Sequence, residues 1–431
     1  MRIAIAGLGT AATHAHLPAL LRAARTQDLR VVGLCDPLPK RWDSARRLAP
    51  EAATYADCGQ MLDVTAPDLL VIASPPSAHM AAVREAAARN IDIVCEKPLG
   101  LRPDDVAELD VLRQGGLLVA TVLQYRHARG WMTLAQRIEN AISRGENVHV
   151  RIEVERPGTD PLSVDGWRSR PDEEGGVLGD HAVHHLSLLR EVLPDVAIAS
   201  CLREGTGGAE AAFVDLAGSG ATASIHVTYM GRRRANRVRV EFSDGVALWD
   251  DDRLVLNDAI HTVESLSDRS FVNALYAPWY AELLRGIASP SERNRRGDET
   301  IGVARLLQSA IAGAADPGTV PRVATEAQPA WLNTVARAVL LAFADLGVYL
   351  PSQRERLLGK IRGLDLLKAG ELETFLDLCI AAELITPERA GRLRLAPAEA
   401  KRLAQSLEGA SPVPDVQALA WAHRVGALAG G

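Results

Sequence analysis

The chain has 431 residues, 47% apolar and 24% charged, the balance of a soluble globular protein long enough for two or three domains. Its net charge of −6 gives no footing for a nucleic acid or an anionic membrane as partner, and no apolar run approaches the length of a membrane span. The five cysteines (35, 58, 95, 201 and 379) show no CxxC and no regular spacing, and no basic leader precedes the first strand pattern; both point to a reducing cytoplasm.

Residues 1–125 alternate short apolar runs with helical stretches rich in alanine and arginine. RIAIAG (2–7), LRVVGLC (29–35), DLLVIAS (68–74), NIDIVCE (90–96) and GLLVATVL (116–123) are predicted as five strands buried on both faces. Such alternation implies an α/β domain with a doubly wound parallel sheet. After residue 125, a helical stretch leads into NVHVRIEVER, whose alternation suits a half-buried strand. VAIASCL, AAFVDLA, ATASIHVTYM, RVRVEF and GVALWD follow, separated by turn signals such as GSG and SDG. They predict an α+β domain over 126–315 with an open, largely antiparallel sheet. Residues 316–330 read as a linker. Residues 331–431 carry apolar side chains at helical spacing and predict a small all-helical extension. That extension is expected to pack on its own chain or a neighbouring subunit, with docking to a pathway partner as the alternative.

The first strand runs into G7-L8-G9-T10-A11-A12, a G-x-G-x-x-A pattern between strand and helix. Gly7 permits a tight turn, Gly9 lets the backbone approach a pyrophosphate, and Ala12 is small enough for close packing. The free N–H groups at the helix start, at Thr10 and Ala11, suit phosphates. Asp36 ends the second strand, where a carboxylate accepts ribose hydroxyls and repels a 2′-phosphate, so NAD is favoured. Lys40 and Arg41 follow closely and leave NADP open. Five arginines between 232 and 239 read as a solvated strand edge, or as a site for phosphate or an acidic substrate.

With the nucleotide loop, three further segments, SPPSAH (74–79), EKP (96–98) and GGVLGDHAVHH (175–185), resemble the Gfo/Idh/MocA oxidoreductase family over about residues 1–315. The resemblance implies a Rossmann domain, a second α/β domain whose open sheet packs in a homo-oligomer (dimer or tetramer), and NAD(P) as cofactor. It places Ser74, Pro75, Pro76, His79, Glu96, Lys97 and Gln124 along the cofactor, and Arg126, Trp167 and Arg168 at the substrate. Lys97, Asp180 and His184 are implied as the catalytic set, with the lysine and the histidine handling a proton. Asp180 and His184 stand four apart, on one face of a predicted helix. Ala182 departs from the family's usual glycine, and Ser187 stands where many members carry aspartate. The implied reaction moves hydride between nicotinamide and a hydroxyl-bearing carbon of a sugar, cyclitol or related polyol. Alternatives are an imine or other non-sugar reductase, an NAD-assisted glycosidase, and an inactive NAD(P)-sensing protein. The histidines at 181, 184 and 185 invite a metal reading, but no third-ligand pattern accompanies them, and no metal is expected.

Overall fold

In the computed structural model, which describes residues 1–157, 175–206, 209–256 and 259–315, the first sheet is wholly parallel. Its strands are β1 (Arg2–Ala6), β2 (Arg30–Cys35), β3 (Ala53–Tyr55), β4 (Leu69–Ile72), β5 (Asp92–Cys95) and β6 (Val119–Thr121), in the order β3-β2-β1-β4-β5-β6. Helices α1 (Leu17–Ala23), α2 (Trp42–Leu48), α3 (Cys58–Thr65), α4 (His79–Ala87) and α5 (Pro103–Gln114) connect them. Ile3, Ile5, Leu69, Val71 and Val94 belong to one apolar cluster and Ala4, Leu70, Ile72 and Ile93 to another, so both faces of the sheet are covered. This explains why its strands read as continuous apolar runs. All five expected strands are present. The sixth, β3, lies at the sheet edge with none of its three residues buried, and so leaves no apolar run.

Strand order reverses between β1 and β4, and the crevice beyond their C-terminal ends is where open α/β sheets take ligands. Gly7 follows β1 with a φ of +91°, and a Cβ there would collide with the Ala73–Ser74 backbone after β4. Only glycine fits both constraints.

The second sheet has eight strands, β7 (Val148–Pro157), β8 (Ala197–Thr206), β9 (Ala209–Gly218), β10 (Ala221–Gly231), β11 (Ala235–Phe242), β12 (Gly245–Asp250), β13 (Arg253–Leu256) and β14 (Ala259–Thr262). Their order is β14-β13-β12-β11-β7-β10-β9-β8. Every pairing is antiparallel except that of β7 with β10, which is parallel. A parallel pair needs a long connection. The chain between them, with α7 (Val183–Val192) and the β8–β9 hairpin, supplies it. Helix α6 (Arg129–Ser143) and α7 share one core with the inward residues of β7, β10 and β11.

Two further helices bind the halves together. After α8 (Arg269–Ala274), α9 (Tyr276–Gly286) returns to the first sheet and buries Tyr276, Trp279, Tyr280 and Leu283 in its core. The long α10 (Pro290–Ala315) then lies along β6. Thr121 N–H donates to Thr300 Oγ1 at 2.9 Å, and that hydroxyl donates to the Val119 carbonyl at 3.3 Å. The helix thereby covers an edge that would otherwise present unpaired backbone. Trp167, Arg168, the expected linker and the expected helical extension lie outside the described residues.

Candidate active site

The glycine loop is shaped for a diphosphate. Gly7 N–H donates to the Cys35 carbonyl at 2.8 Å, which carries the β1–β2 ladder into the loop, and Gly9 has open space where a Cβ would stand. Thr10 is exposed and Ala11 half-buried at the helix start, while Ala12 is fully buried. Asp36 is buried, and its carboxylate accepts from Leu8 N–H and Leu38 N–H, both at 2.9 Å. Arg41, largely exposed, reaches the same carboxylate at 3.2 Å. Asp36 therefore shapes the loop.

Beyond β4, Ser74 and Pro75 are half-buried and Pro76 is buried. His79 is buried too, its ring nitrogens 2.9 Å from the Ser74 carbonyl and 3.0 Å from the Pro98 carbonyl. It thus straps the loop after β4 to the turn after β5. Ser74 Oγ and Gln124 Oε1 are buried at the C-terminal ends of the sheet with no hydrogen-bond partner. Open space at Gly9 and these two unpartnered oxygens make the crevice a fit for a dinucleotide, whose phosphates and amide would supply what is missing.

The turn after β5 presents Lys97, half-buried and joined to Pro98 by a cis peptide bond. Its Nζ donates to Asp180 O at 2.6 Å and Asp180 Oδ1 at 2.9 Å. Two residues 83 apart in sequence, one on each sheet's side of the molecule, are joined directly. Glu96 points the other way. Its Oε1 accepts from Tyr276 Oη and from His16 Nε2 (2.9 Å), and its Oε2 accepts from Lys97 N–H at 3.2 Å. Burial pushes the Glu96 carboxyl up, but His16, the Lys97 charge and Tyr276 together outweigh it and hold it at about 2. The carboxylate therefore anchors the turn from beneath.

Asp180 sits in a wide turn, Leu178–Ala182, of the π type often found at functional sites. Gly175 and Gly176 lead into it with φ of +80° and +56°. A Cβ on Gly176 would strike the buried Glu210 carboxylate, which instead accepts Val177 N–H at 3.1 Å and fixes where the turn begins. Asp180 is almost fully buried. Tyr229 Oη donates to its second oxygen at 2.8 Å, and His181 Nε2 lies 3.4 Å away.

His184 follows at the start of α7, its ring stacked on Tyr125 with centroids 4.1 Å apart and planes at 4°. Burial, then the Lys97 charge, pushes the imidazole well below its ordinary pKa, so it is neutral, and its Nδ1 has no partner. His185 packs on the edge of the same tyrosine, and burial with Arg156 nearby takes it to about 3. Among the described residues no three His, Cys, Asp or Glu side chains are grouped so as to hold a metal ion.

Arg126 lies elsewhere. Its guanidinium bridges Glu191 and Glu299, each at 2.9 Å, and lines a polar cavity of about 590 Å³ with Ser187, Arg190 and Asn294. Neither Lys97 nor Asp180 nor His184 lines that cavity. Of the arginine run, Arg237 pairs with Glu153 and Asp250, and Arg239 with Glu241, so both belong to the ion-pair lattice of the sheet face. Tyr229 and His16 were not singled out by the sequence. The signal for Tyr229 is a hydroxyl ending the apolar face Ala223-Ile225-Val227-Tyr229. That for His16 is a histidine set among the buried residues Ala12, Ala15 and Leu17.

Two family models match the chain in succession: the oxidoreductase family with an NAD-binding Rossmann fold over residues 1–119, and the GFO/IDH/MocA C-terminal domain over residues 132–248. The chain belongs to the Gfo/Idh/MocA family of oxidoreductases. Within that family it is similar to D-glucoside 3-dehydrogenase of Escherichia coli, with 26% identity over 62% of this chain and 74% of the relative. It is also similar to 1,5-anhydro-D-fructose reductase of Ensifer adhaerens, with 30% identity over 33% of this chain and 44% of the relative. Among solved structures, an oxidoreductase from Thermotoga maritima superposes with a TM-score of 0.62 at 16% identity, covering 73% of this chain and 96% of that one. A myo-inositol dehydrogenase from Corynebacterium glutamicum gives 0.57 at 20%, with the same two coverages. These structural likenesses establish the fold. No helix among the described residues is long and apolar enough to cross a membrane.

Proposed function

We propose that this member of the family is an NAD-dependent dehydrogenase acting on a hydroxyl-bearing carbon of a sugar, cyclitol or related polyol. The observation that carries the reading is the Lys97–Asp180 contact, which joins the nucleotide half to the second sheet beside the dinucleotide crevice. The named activities of the glucoside dehydrogenase, the anhydrofructose reductase and the inositol dehydrogenase support it. A bound nicotinamide supplies the acceptor or donor of hydride.

The protein's part is orientation and proton handling. Protonated Lys97 has three N–H donors, and Asp180 takes two. The third is left for a substrate oxygen. As an amine, Lys97 takes the proton of the substrate hydroxyl, and Asp180 steadies the resulting ammonium. Tyr229 holds Asp180 from behind. Neutral His184, held by Tyr125, offers an unpartnered Nδ1 to a neighbouring hydroxyl. NAD is proposed over NADP because Asp36 stands at the ribose end, although Arg41 tempers its charge. The open face of the second sheet is proposed as an interface between copies of this chain. His226 stacks there on Phe213, and Arg151, Glu153, Arg237 and Asp250 form a half-buried lattice. Light scattering on the purified chain reads that state. A reducing cytoplasmic setting accompanies the proposal, since Cys35 and Cys95 are buried free thiols.

The deciding experiment is a polyol and glycoside panel followed by NADH absorbance. Turnover in the wild type that is lost in Lys97→Ala supports the reading. Tight NAD binding without turnover on any panel member overturns it in favour of a sensor.

A further inference from the structure

A chain of buried hydrogen bonds runs beneath the crevice, from the second half of the molecule to the lysine turn. Its centre is His16, wholly buried in the wide turn Ala12–His16 that follows the glycine loop. Leu17 N–H reaches back five residues to Ala12 O, so the turn holds one residue more than an α-helical turn. His16 Nε2 lies 2.9 Å from Glu96 Oε1, and Nδ1 lies 2.7 Å from Tyr280 Oη. A carboxylate only accepts, so Nε2 carries a proton and donates to Glu96, while the Tyr280 hydroxyl, which can donate or accept, pairs with Nδ1. Glu96 in turn accepts the backbone N–H of Lys97 through its other oxygen at 3.2 Å. The three members come from distant places in the chain: His16 and Glu96 are 80 residues apart, and His16 and Tyr280 are 264 apart.

We infer that His16 is a positioning residue that couples occupation of the dinucleotide loop to the setting of the Lys97 turn. Phosphates drawn onto the N–H groups at the helix start shift that start. His16 stands just beyond it, within the same turn, and passes the shift to Glu96 through a contact with no slack, because all the groups are buried and close-packed. Glu96 then moves the backbone it grips, which is that of Lys97. A leucine at position 16 would leave the Tyr280 hydroxyl without its Nδ1 partner and Glu96 Oε1 with one donor fewer. A glutamine would restore one donor and one acceptor.

The turnover half of the test rests on the proposed dehydrogenase activity; the binding half rests only on the dinucleotide fold. NAD affinity is measured by quenching of tryptophan fluorescence, without substrate. His16→Leu is expected to weaken NAD about tenfold and to lower kcat about tenfold, with the substrate KM within about twofold. His16→Gln is expected to bring both back to within about threefold of the wild type. Should His16→Leu fail to fold, Tyr280→Phe, which removes only the hydroxyl paired with Nδ1, is expected to show both effects at about threefold. A double-mutant cycle then reads the coupling in NAD affinity alone. Glu96→Gln weakens NAD about fivefold in the wild type and less than about twofold in His16→Leu. Equal effects in the two backgrounds, or a His16→Leu protein with lower Tm but unchanged NAD affinity and kcat, overturn the inference. A wild type that binds NAD but turns nothing over defeats the dehydrogenase reading, and the cycle still decides the coupling.

Discussion

The two sheets make different use of their polar groups. In the parallel sheet both faces are apolar and buried, so polar side chains gather beyond the strand ends, where Ser74, Glu96, Lys97 and Gln124 all stand. In the eight-stranded sheet one face joins the core, and the other carries paired charges such as Arg151–Glu153 and Arg239–Glu241. The lesson is that charges beyond the strand ends of the first half find partners from distant segments, as Lys97 finds Asp180, while charges along the strands of the second half are neutralised by neighbours on the same face. Asp180 and Tyr229 are where the second half reaches the first and follows its rule.

Five measurements bear on that contrast, the largest effect first. Lys97→Ala is expected to lower kcat by about 10³-fold while leaving NAD affinity within about threefold, read as turnover and fluorescence titration. Ile5→Ala, which empties a site in the fully buried parallel sheet, should destabilise the chain by about 3 kcal/mol in urea unfolding. Acidification comes third. His184 and His185 are held neutral by burial, so their folded pKa values lie below the unfolded value near 6.5, and His185 is at about 3. The unfolded chain then binds more protons below pH 6.5, so stability is full above that pH. It is lost as pH falls towards the folded values, by about 1.4 kcal/mol for each histidine on reaching pH 5.5. Tm measured from pH 7.5 to 5.5 should fall accordingly, and His185→Gln should flatten the curve. Tyr229→Phe removes one donor to Asp180 and is expected to lower kcat about fivefold, with a stability change of about 1 kcal/mol. Arg239→Ala, on the open face, should change stability of the single chain by less than about 0.5 kcal/mol. A larger loss that depends on protein concentration would place that face in an interface between copies.

Local patterns were enough to find every strand of the first sheet except the exposed β3, the glycine loop and the antiparallel character of the second sheet. Each depends on residues a few positions apart, and period and turn chemistry report such neighbours directly. Lys97, Asp180 and His184 could be named because their segments resemble a family's, yet the Lys97–Asp180 contact was not readable from spacing. Arg126 shows the opposite case: it follows the last strand of the first sheet as expected, but Glu191 and Glu299, brought by α7 and α10, draw it into a separate cavity. The parallel β7–β10 pair was also invisible, since alternation is the same whichever way a neighbour runs.

The amino-acid order alone thus determined which segments become strands, where a dinucleotide would lie, and which lysine follows β5. Tertiary structure decided what each of those groups touches. Glu96 turns inward because His16 and Tyr276 arrive from 80 and 180 residues away to meet it, while Lys97, its neighbour, turns outward to Asp180. Side-chain direction at such a turn is set by partners that only a closed chain brings within hydrogen-bond reach, and periodicity carries no record of them.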